Sequence, residues 1–325
     1  LATNKLNLIT NNWDNERKKM GQLTILLKEK DKLVLKIEEL KINNDIFKYK
    51  KSLISGFNSR LNIQNFSILV NIFFIIKCVL IFMTSEISKR FKSPNFDNRR
   101  KNLKIKYIIL HYTETNNLMD AKNILCDLNS EVSCHYLINR KGLITQLVME
   151  NKVAWHAGKS KWKKLNNLNS CSIGIELVNK GHQFGYTNFK KKQLISLIKI
   201  CKSLVRKYKI KKRNIIGHSD IAPLRKIDPG EKFPWKQLSK KNIGIWHSFK
   251  PNLLRKLRRI GISSKKDKIK FVKNLKKIGY CFSINNKSFF VKIVKAFQRH
   301  YRQEVINGLL DKECLIVAEN LSKKL

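Results

Sequence analysis

The sequence predicts an α/β protein. Its centre is a mixed β-sheet flanked by helices, a small three-helix unit follows, and a helical, then apolar, segment precedes it. Three observations predict this. Short β-branched runs alternate with helical patterns across 84–250. A single long apolar run, FSILVNIFFIIKCVLIFM, occupies 66–83. Three patterns at helical spacing fill 264–325.

Residues 1–65 are lysine-rich and read as a helical region. Leu26, Leu33, Leu40 and Phe47 recur every seven residues, but the alternate seam positions fall on Lys30, Ile37 and Asn44, which weakens a coiled coil. The run at 66–83 is just long enough to cross a bilayer as a helix. Lys77 within it would cost about 2.5–3.5 kcal/mol at the bilayer centre, but it stands nearer one end, where it can snorkel. We therefore expect a membrane anchor at 66–83, with the rest of the chain on the periplasmic side of the inner membrane. A start at Met83 gives the alternative, a cytoplasmic protein to which 1–82 does not belong. Basic flanks on both sides leave the orientation open.

In 84–250, KIKYIILHY (104–112) is a buried strand ending beside a histidine. SCHYLIN (133–139) and LITQLVM (143–149) flank a turn at Arg140–Gly142 and read as a hairpin. CSIGIELVN (171–179) is a further strand, and KKKQLISLIKICKSLVRKY (190–208) carries apolar residues at helical spacing. NIIGH (214–218) is a short strand leading into the loop GHSDIAPLRKIDPG. After a partly helical linker (236–263), FVKNLKKIGY, SFFVKIVKAFQRHYR and DKECLIVAENLSKKL are three helices.

The formal net charge is +45, from 68 basic against 23 acidic residues, which favours contact with polyanions such as nucleic acid, anionic lipid or an acidic wall polymer. The excess is mostly lysine, spread over the chain and accompanied by abundant Asn and Ile, so the base composition of an A+T-rich genome is the favoured explanation. No nucleic-acid recognition motif is present, and a specific nucleic-acid partner is not expected. Seven cysteines with irregular spacing and no CxxC pair read as scattered core thiols, not a disulfide framework.

His111 and His218 each end an apolar strand, and Asp228 follows on a loop held by Pro223 and Pro229-Gly230. Two imidazoles and a carboxylate suit Zn²⁺ with a fourth position left for water. The spacing alone leaves open the alternative of structural histidines.

The stretches SPNFDNRR (93–100), IILHYTET (108–115), SCHYLINRKGLITQLV (133–148), AWHAGKSKW (154–162), NSCSIGIELVN (169–179) and GHSDIAPLRKIDPGEKFPW (217–235) resemble, in order, those of the zinc-dependent N-acetylmuramoyl-L-alanine amidases and peptidoglycan recognition proteins. The resemblance implies one zinc ion held by His111, His218 and Asp228. It implies catalytic roles for Glu176 as general base and Lys226 at the oxyanion, and substrate contacts from Trp155, His156, Asn179 and Arg225. The reaction implied is hydrolysis of the amide between N-acetylmuramic acid and L-alanine in peptidoglycan or muropeptides. A non-catalytic peptidoglycan-recognition protein is the alternative. KIVKAFQRHYR and INGLLDKECLIVAENL resemble the three-helix peptidoglycan-binding domain attached to wall hydrolases, which implies such a domain at 264–325. His135 reads as a structural histidine, and His182, His247 and His300 have no partner pattern.

Overall fold

The structure is a computed structural model that describes residues 87–89, 91–281 and 287–325, all of which fall in one compact unit. The expected helical region at 1–65 and the anchor at 66–83 lie outside the described residues. Among the described residues no helix is long and apolar enough to cross a membrane. The periplasmic, membrane-anchored placement is therefore corrected, because no spanning element among the described residues supports it.

The central sheet has the order β4-β3-β8-β2-β9. Its strands are β2 (Tyr107–Tyr112), β3 (Tyr136–Ile138), β4 (Ile144–Gln146), β8 (Ser172–Leu177) and β9 (Ile215–Gly217). β2 pairs in parallel with β8 and β9, and β3 in parallel with β8. β4 runs antiparallel to β3, as the hairpin pattern predicts, so the sheet is mixed. Smaller two-stranded pairs join β1 (Phe96–Asn98) to β5 (Lys152–Ala154), and β6 (Lys161–Trp162) to β7 (Leu165–Asn166). These strands are too short to show a two-residue period, so they do not stand out in the sequence.

Side-chain alternation divides the sheet into two faces. Ile108, Leu110 and Tyr112 of β2 and Ile173, Ile175 and Leu177 of β8 share one core with Leu197, Ile200 and Leu204 of the helix α2 (Lys191–Tyr208). The opposite face carries Tyr107, Ile109 and His111 on β2, and Ser172, Gly174 and Glu176 on β8. The register aligns His111 with Glu176. Polar chemistry is thus gathered on one face, at the C-terminal ends of parallel strands, where open α/β sheets place their sites.

A helix α1 (Leu118–Cys126) follows β2, capped by Asn117, whose side chain accepts from the Met119 and Asp120 amides. After β9 come the short helices α3 (His218–Ile221) and α4 (Trp235–Ser239), and then α5 (Pro251–Arg258). His218 therefore opens a helical turn and does not sit in an irregular loop. Gly217 N–H donates to Asp220 Oδ2 at 2.8 Å, which fixes that turn.

The last three helices are α6 (Lys265–Ile278), α7 (Lys287–Tyr301) and α8 (Lys312–Lys323). Phe271, Leu275, Phe297, Val317 and Leu321 form a core that is continuous with Ile109, Ile216, Trp162 and Ile221 beneath the sheet. A buried polar cluster crosses this contact. Asp220 accepts from the Tyr280 hydroxyl through Oδ1 and meets His300 Nδ1 at 2.7 Å through Oδ2. The His300 ring stacks between Trp235 and Tyr301, with centroids 3.9 Å away on each side. Gly279 sits at φ +143°, and a Cβ there would lie 2.3 Å from the Trp162 ring, so only glycine lets α6 end against that indole. The six described cysteines are free thiols.

Candidate metal centre and cleft

Three side chains from distant parts of the sequence converge above the ends of β2 and β9. His111 Nδ1 lies 3.0 Å from His218 Nδ1 and 3.0 Å from Asp228 Oδ2, and His218 Nδ1 lies 3.1 Å from the same oxygen. All three residues are buried. β2 delivers His111, the first turn of α3 delivers His218, and the chain returning from α3 delivers Asp228. The amide of Ser219 donates to the Asp228 carbonyl at 2.8 Å and ties the two ligand segments together.

Hydrogen bonding does not account for this triangle. A proton on both Nδ1 atoms would set two N–H groups against each other at 3.0 Å, and a proton on one leaves the other pointing a lone pair at the carboxylate. A cation receiving three lone pairs resolves the conflict. The sides of the triangle are close to the roughly 3.3 Å between neighbouring ligands of a tetrahedral ion bonded at about 2.0–2.1 Å. Among the described residues this is the group of His, Cys, Asp and Glu side chains placed to hold a metal.

The charge state agrees. Burial, followed by the neighbouring His218, lowers the His111 pKa to about 4, so its imidazole is neutral at physiological pH. Burial alone would raise the Asp228 carboxyl, but His218 and His111 outweigh it and hold the group well below the carboxylate range. A neutral His111 imidazole and an anionic Asp228, with the His218 ring beside them, suit a divalent transition metal.

Glu176 stands beside this group, its Oε1 4.0 Å from His111 Nδ1, too far to join the triangle. Its Oε2 is buried without a hydrogen-bond partner. Burial first, and Asp228 second, push its carboxyl well above the ordinary value, while Lys226 acts in the opposite direction. A cleft of about 370 Å³ opens over the site, lined by Tyr112, Trp155, Glu176, His218, Lys226 and Asp228 among others. Ile124, Leu125 and Val132 form an apolar wall on one side.

The four expected substrate-contact residues are placed differently from one another. Trp155 lines the cleft, and its indole N–H donates to Asp97 Oδ2 at 2.7 Å. Arg225 also lines it, but its guanidinium is committed to the carbonyls of Lys159 and Ala157 and stands 3.3 Å from His218 Nε2, so it fastens the AWHAGK segment beside the metal group. His156 also lines the cleft but is buried, and its ring stands against His111, with Nδ1 3.1 Å from His111 Nε2. Asn179 is not brought to the cleft. It is buried, its amide donates to Thr187 O at 2.8 Å, and its oxygen accepts from the Gly181 and Thr187 amides, so it folds the 180–187 loop.

Two histidines without a pattern in the sequence acquire partners. His182 Nδ1 meets the Tyr112 hydroxyl at 2.9 Å and its Nε2 meets Glu231 Oε2 at 3.1 Å, which clamps the 180–187 loop to the segment following Asp228. His300 joins the Asp220 cluster. The signal for His182 was the glycine before it: Gly181, at φ +65°, leaves no room for a Cβ against Tyr112 and Glu114.

Residues 101–231 match the N-acetylmuramoyl-L-alanine amidase family profile. The chain is 36% identical over 251 residues to N-acetylmuramoyl-L-alanine amidase AmiD of Escherichia coli, covering 68% of this chain and 83% of that protein. It is 34% identical over 167 residues to the 1,6-anhydro-N-acetylmuramyl-L-alanine amidase AmpD of Haemophilus influenzae, covering 46% and 89%. Among solved structures, the E. coli AmiD complex with anhydro-N-acetylmuramic acid-L-Ala-D-gamma-Glu-L-Lys superposes with a TM-score of 0.61 at 32% identity, over 70% of this chain and 93% of that one. The likeness to AmiD thus extends beyond the span of the family profile. With the sheet, the histidine–histidine–aspartate group and the cleft in the same chain, these matches place it in the N-acetylmuramoyl-L-alanine amidase family.

Proposed function

We propose that the protein is a zinc-dependent amidase that hydrolyses the bond between the muramic acid lactyl carbonyl and L-alanine in muropeptides. The observation that carries this reading is the triangle of His111, His218 and Asp228, with an unpartnered carboxylate, Glu176, aimed at it from the neighbouring strand. A pure recognition protein has no use for that arrangement.

His111, His218 and Asp228 hold the ion. When bound, zinc supplies Lewis acidity and brings the ionisation of water near neutral pH. Glu176 takes the proton from the attacking water and passes it to the alanine nitrogen as the carbon–nitrogen bond breaks. Its raised proton affinity suits both halves of that task. Lys226, lining the same cleft, stabilises the negative charge that develops on the carbonyl oxygen. Trp155 offers an aromatic edge to the sugar or peptide, and Arg225 positions His218, by holding Ala157, whose carbonyl meets His218 Nε2 at 3.2 Å, and by its own contact with that nitrogen at 3.3 Å. The unit at 264–325, from its resemblance to wall-binding domains, holds the enzyme near its polymer and raises the local substrate concentration. Its core is shared with the catalytic sheet, so both move as one body.

Incubation of the zinc-loaded protein with an anhydro-muramyl tetrapeptide tests the reading. Mass spectrometry is expected to show a free peptide with an alanine amino terminus and a muramyl acid, and chelation to abolish both. Intact substrate, or cleavage at another bond, overturns it.

A further inference from the structure

We propose that His156 is a positioning residue that fixes the tautomer of the ligand His111 through a hydrogen-bond chain anchored on the Leu168 carbonyl. This rests on the metal reading of the site. The direction of every bond in the chain follows from its far end. The Ser172 hydroxyl lies 2.6 Å from Leu168 O, which only accepts, so the hydroxyl spends its single proton there. Its contact with His156 Nε2 at 3.1 Å must then run the other way, with the ring N–H donating to the serine oxygen. A neutral imidazole protonated at Nε2 carries a lone pair on Nδ1. That atom lies 3.1 Å from His111 Nε2, which therefore donates. His111 is left with its proton on Nε2 and a bare Nδ1, the atom that faces His218 and Asp228. If His156 were instead protonated at Nδ1, His111 Nε2 would have to accept, and its proton would sit on Nδ1, inside the ligand triangle.

The same segment also touches His218, whose Nε2 lies 3.2 Å from the carbonyl of Ala157, the residue next to His156, and 3.3 Å from Arg225 Nη2, so the chain fixes the tautomer of His111 alone. One backbone segment thus contacts both imidazoles. That segment is itself fixed, with the amides of His156 and Ala157 donating to Asn169 Oδ1 at 3.2 and 2.7 Å. The sheet is also cut to receive the ring. A Cβ at Gly174 would lie 2.3 Å from His156 Cγ, so the glycine inside β8 is the seat of that imidazole.

The direct test is nitrogen-15 NMR of histidine side chains in the zinc-loaded wild-type protein. The expected result is His156 protonated at Nε2 only, with scalar coupling across the hydrogen bond between His111 Nε2 and His156 Nδ1. A His156 protonated at Nδ1, or at both nitrogens, overturns the proposal. The second test is zinc affinity, measured by competition with a chromophoric chelator on variants whose folding is checked by circular dichroism. His156→Ala is expected to bind zinc about 10–100-fold more weakly, the usual effect of removing a ligand's hydrogen-bond partner. Gly174→Ala, which displaces the ring, is expected to move in the same direction. His156→Asn places an amide oxygen near the position of Nδ1 and is expected to recover most of the affinity. A folded His156→Ala that binds zinc within twofold of wild type removes this proposal alone. Absence of zinc from the wild type removes the metal reading, and this inference with it.

Discussion

Glu176→Gln separates catalysis from stability in a way the geometry makes quantitative. The side chain stays nearly isosteric, so the ligand triangle, from which Glu176 Oε1 is 4.0 Å away, keeps its zinc. The variant loses the proton acceptor. A positioned general base contributes about 10²–10⁴-fold, so turnover on a muropeptide should fall roughly 10³-fold, about 4 kcal/mol of barrier. Stability of the metal-free protein should change in the opposite direction. Burial and Asp228 raise the Glu176 pKa in the folded chain above its ordinary value of 4.5. The folded state therefore holds a proton that the unfolded state has released, and stability falls as pH rises from about 4.5 through the raised value. Glutamine carries no such penalty. Leaving a buried polar atom without a partner costs about 1–3 kcal/mol, and more when it is charged; Glu176 Oε2 is such an atom, and only the wild-type carboxyl adds a charge there as pH rises. Urea unfolding in the presence of chelator should thus show the variant more stable by about 1–3 kcal/mol at pH 8 and level with wild type near pH 4. Unchanged turnover on purified substrate would refute the catalytic assignment, and a stability difference that is the same at both pH values would refute the electrostatic argument.

His218→Ala is expected to lose both zinc and activity, since one corner of the triangle goes, and metal analysis after dialysis checks it. Tyr280→Phe deletes one hydrogen bond to the buried Asp220 and should cost about 2 kcal/mol, lowering the melting temperature by about 4–8 °C for a unit of this size; a drop below 2 °C would contradict a joined core. Acid should weaken the metal-free fold through its buried histidines. Burial lowers the His135 pKa to about 3 and the His111 pKa to about 4, so the unfolded chain takes up protons first as pH falls below 6.5. In the Glu176→Gln background, which removes the opposing contribution, the urea midpoint should fall steadily between pH 6.5 and 4, and a flat profile would contradict neutral buried rings.

The candidate ligand group was legible in the sequence through the family resemblance, since its local signals alone left structural histidines open. His111 and His218 end runs of β-branched residues, and Asp228 is fixed between Pro223 and Pro229-Gly230. The alternation of β2 and β8 was legible too, and it puts His111 and Glu176 on one face. What could not be read depends on contacts between segments distant in the chain. Nothing local distinguishes an Asn179 that folds its own loop from one that faces a cleft, because the difference lies in where Thr187 returns. His156 adjoins Trp155 in sequence, yet alternation along the chain turns one toward the cleft and the other toward His111 and Gly174. Asp220 reads as part of the ligand segment, but it serves the contact with Tyr280 and His300, residues some 60 to 80 positions later. The long apolar run at 66–83 lies outside the described residues, and none of the described helices is long and apolar enough to cross a membrane.

Zinc-edge anomalous diffraction from crystals of the zinc-loaded protein weighs the whole account at its narrowest point. The account predicts a single strong peak bonded to Nδ1 of His111, Nδ1 of His218 and a carboxylate oxygen of Asp228. A map with no density there, or with the metal held by other side chains, would contradict it.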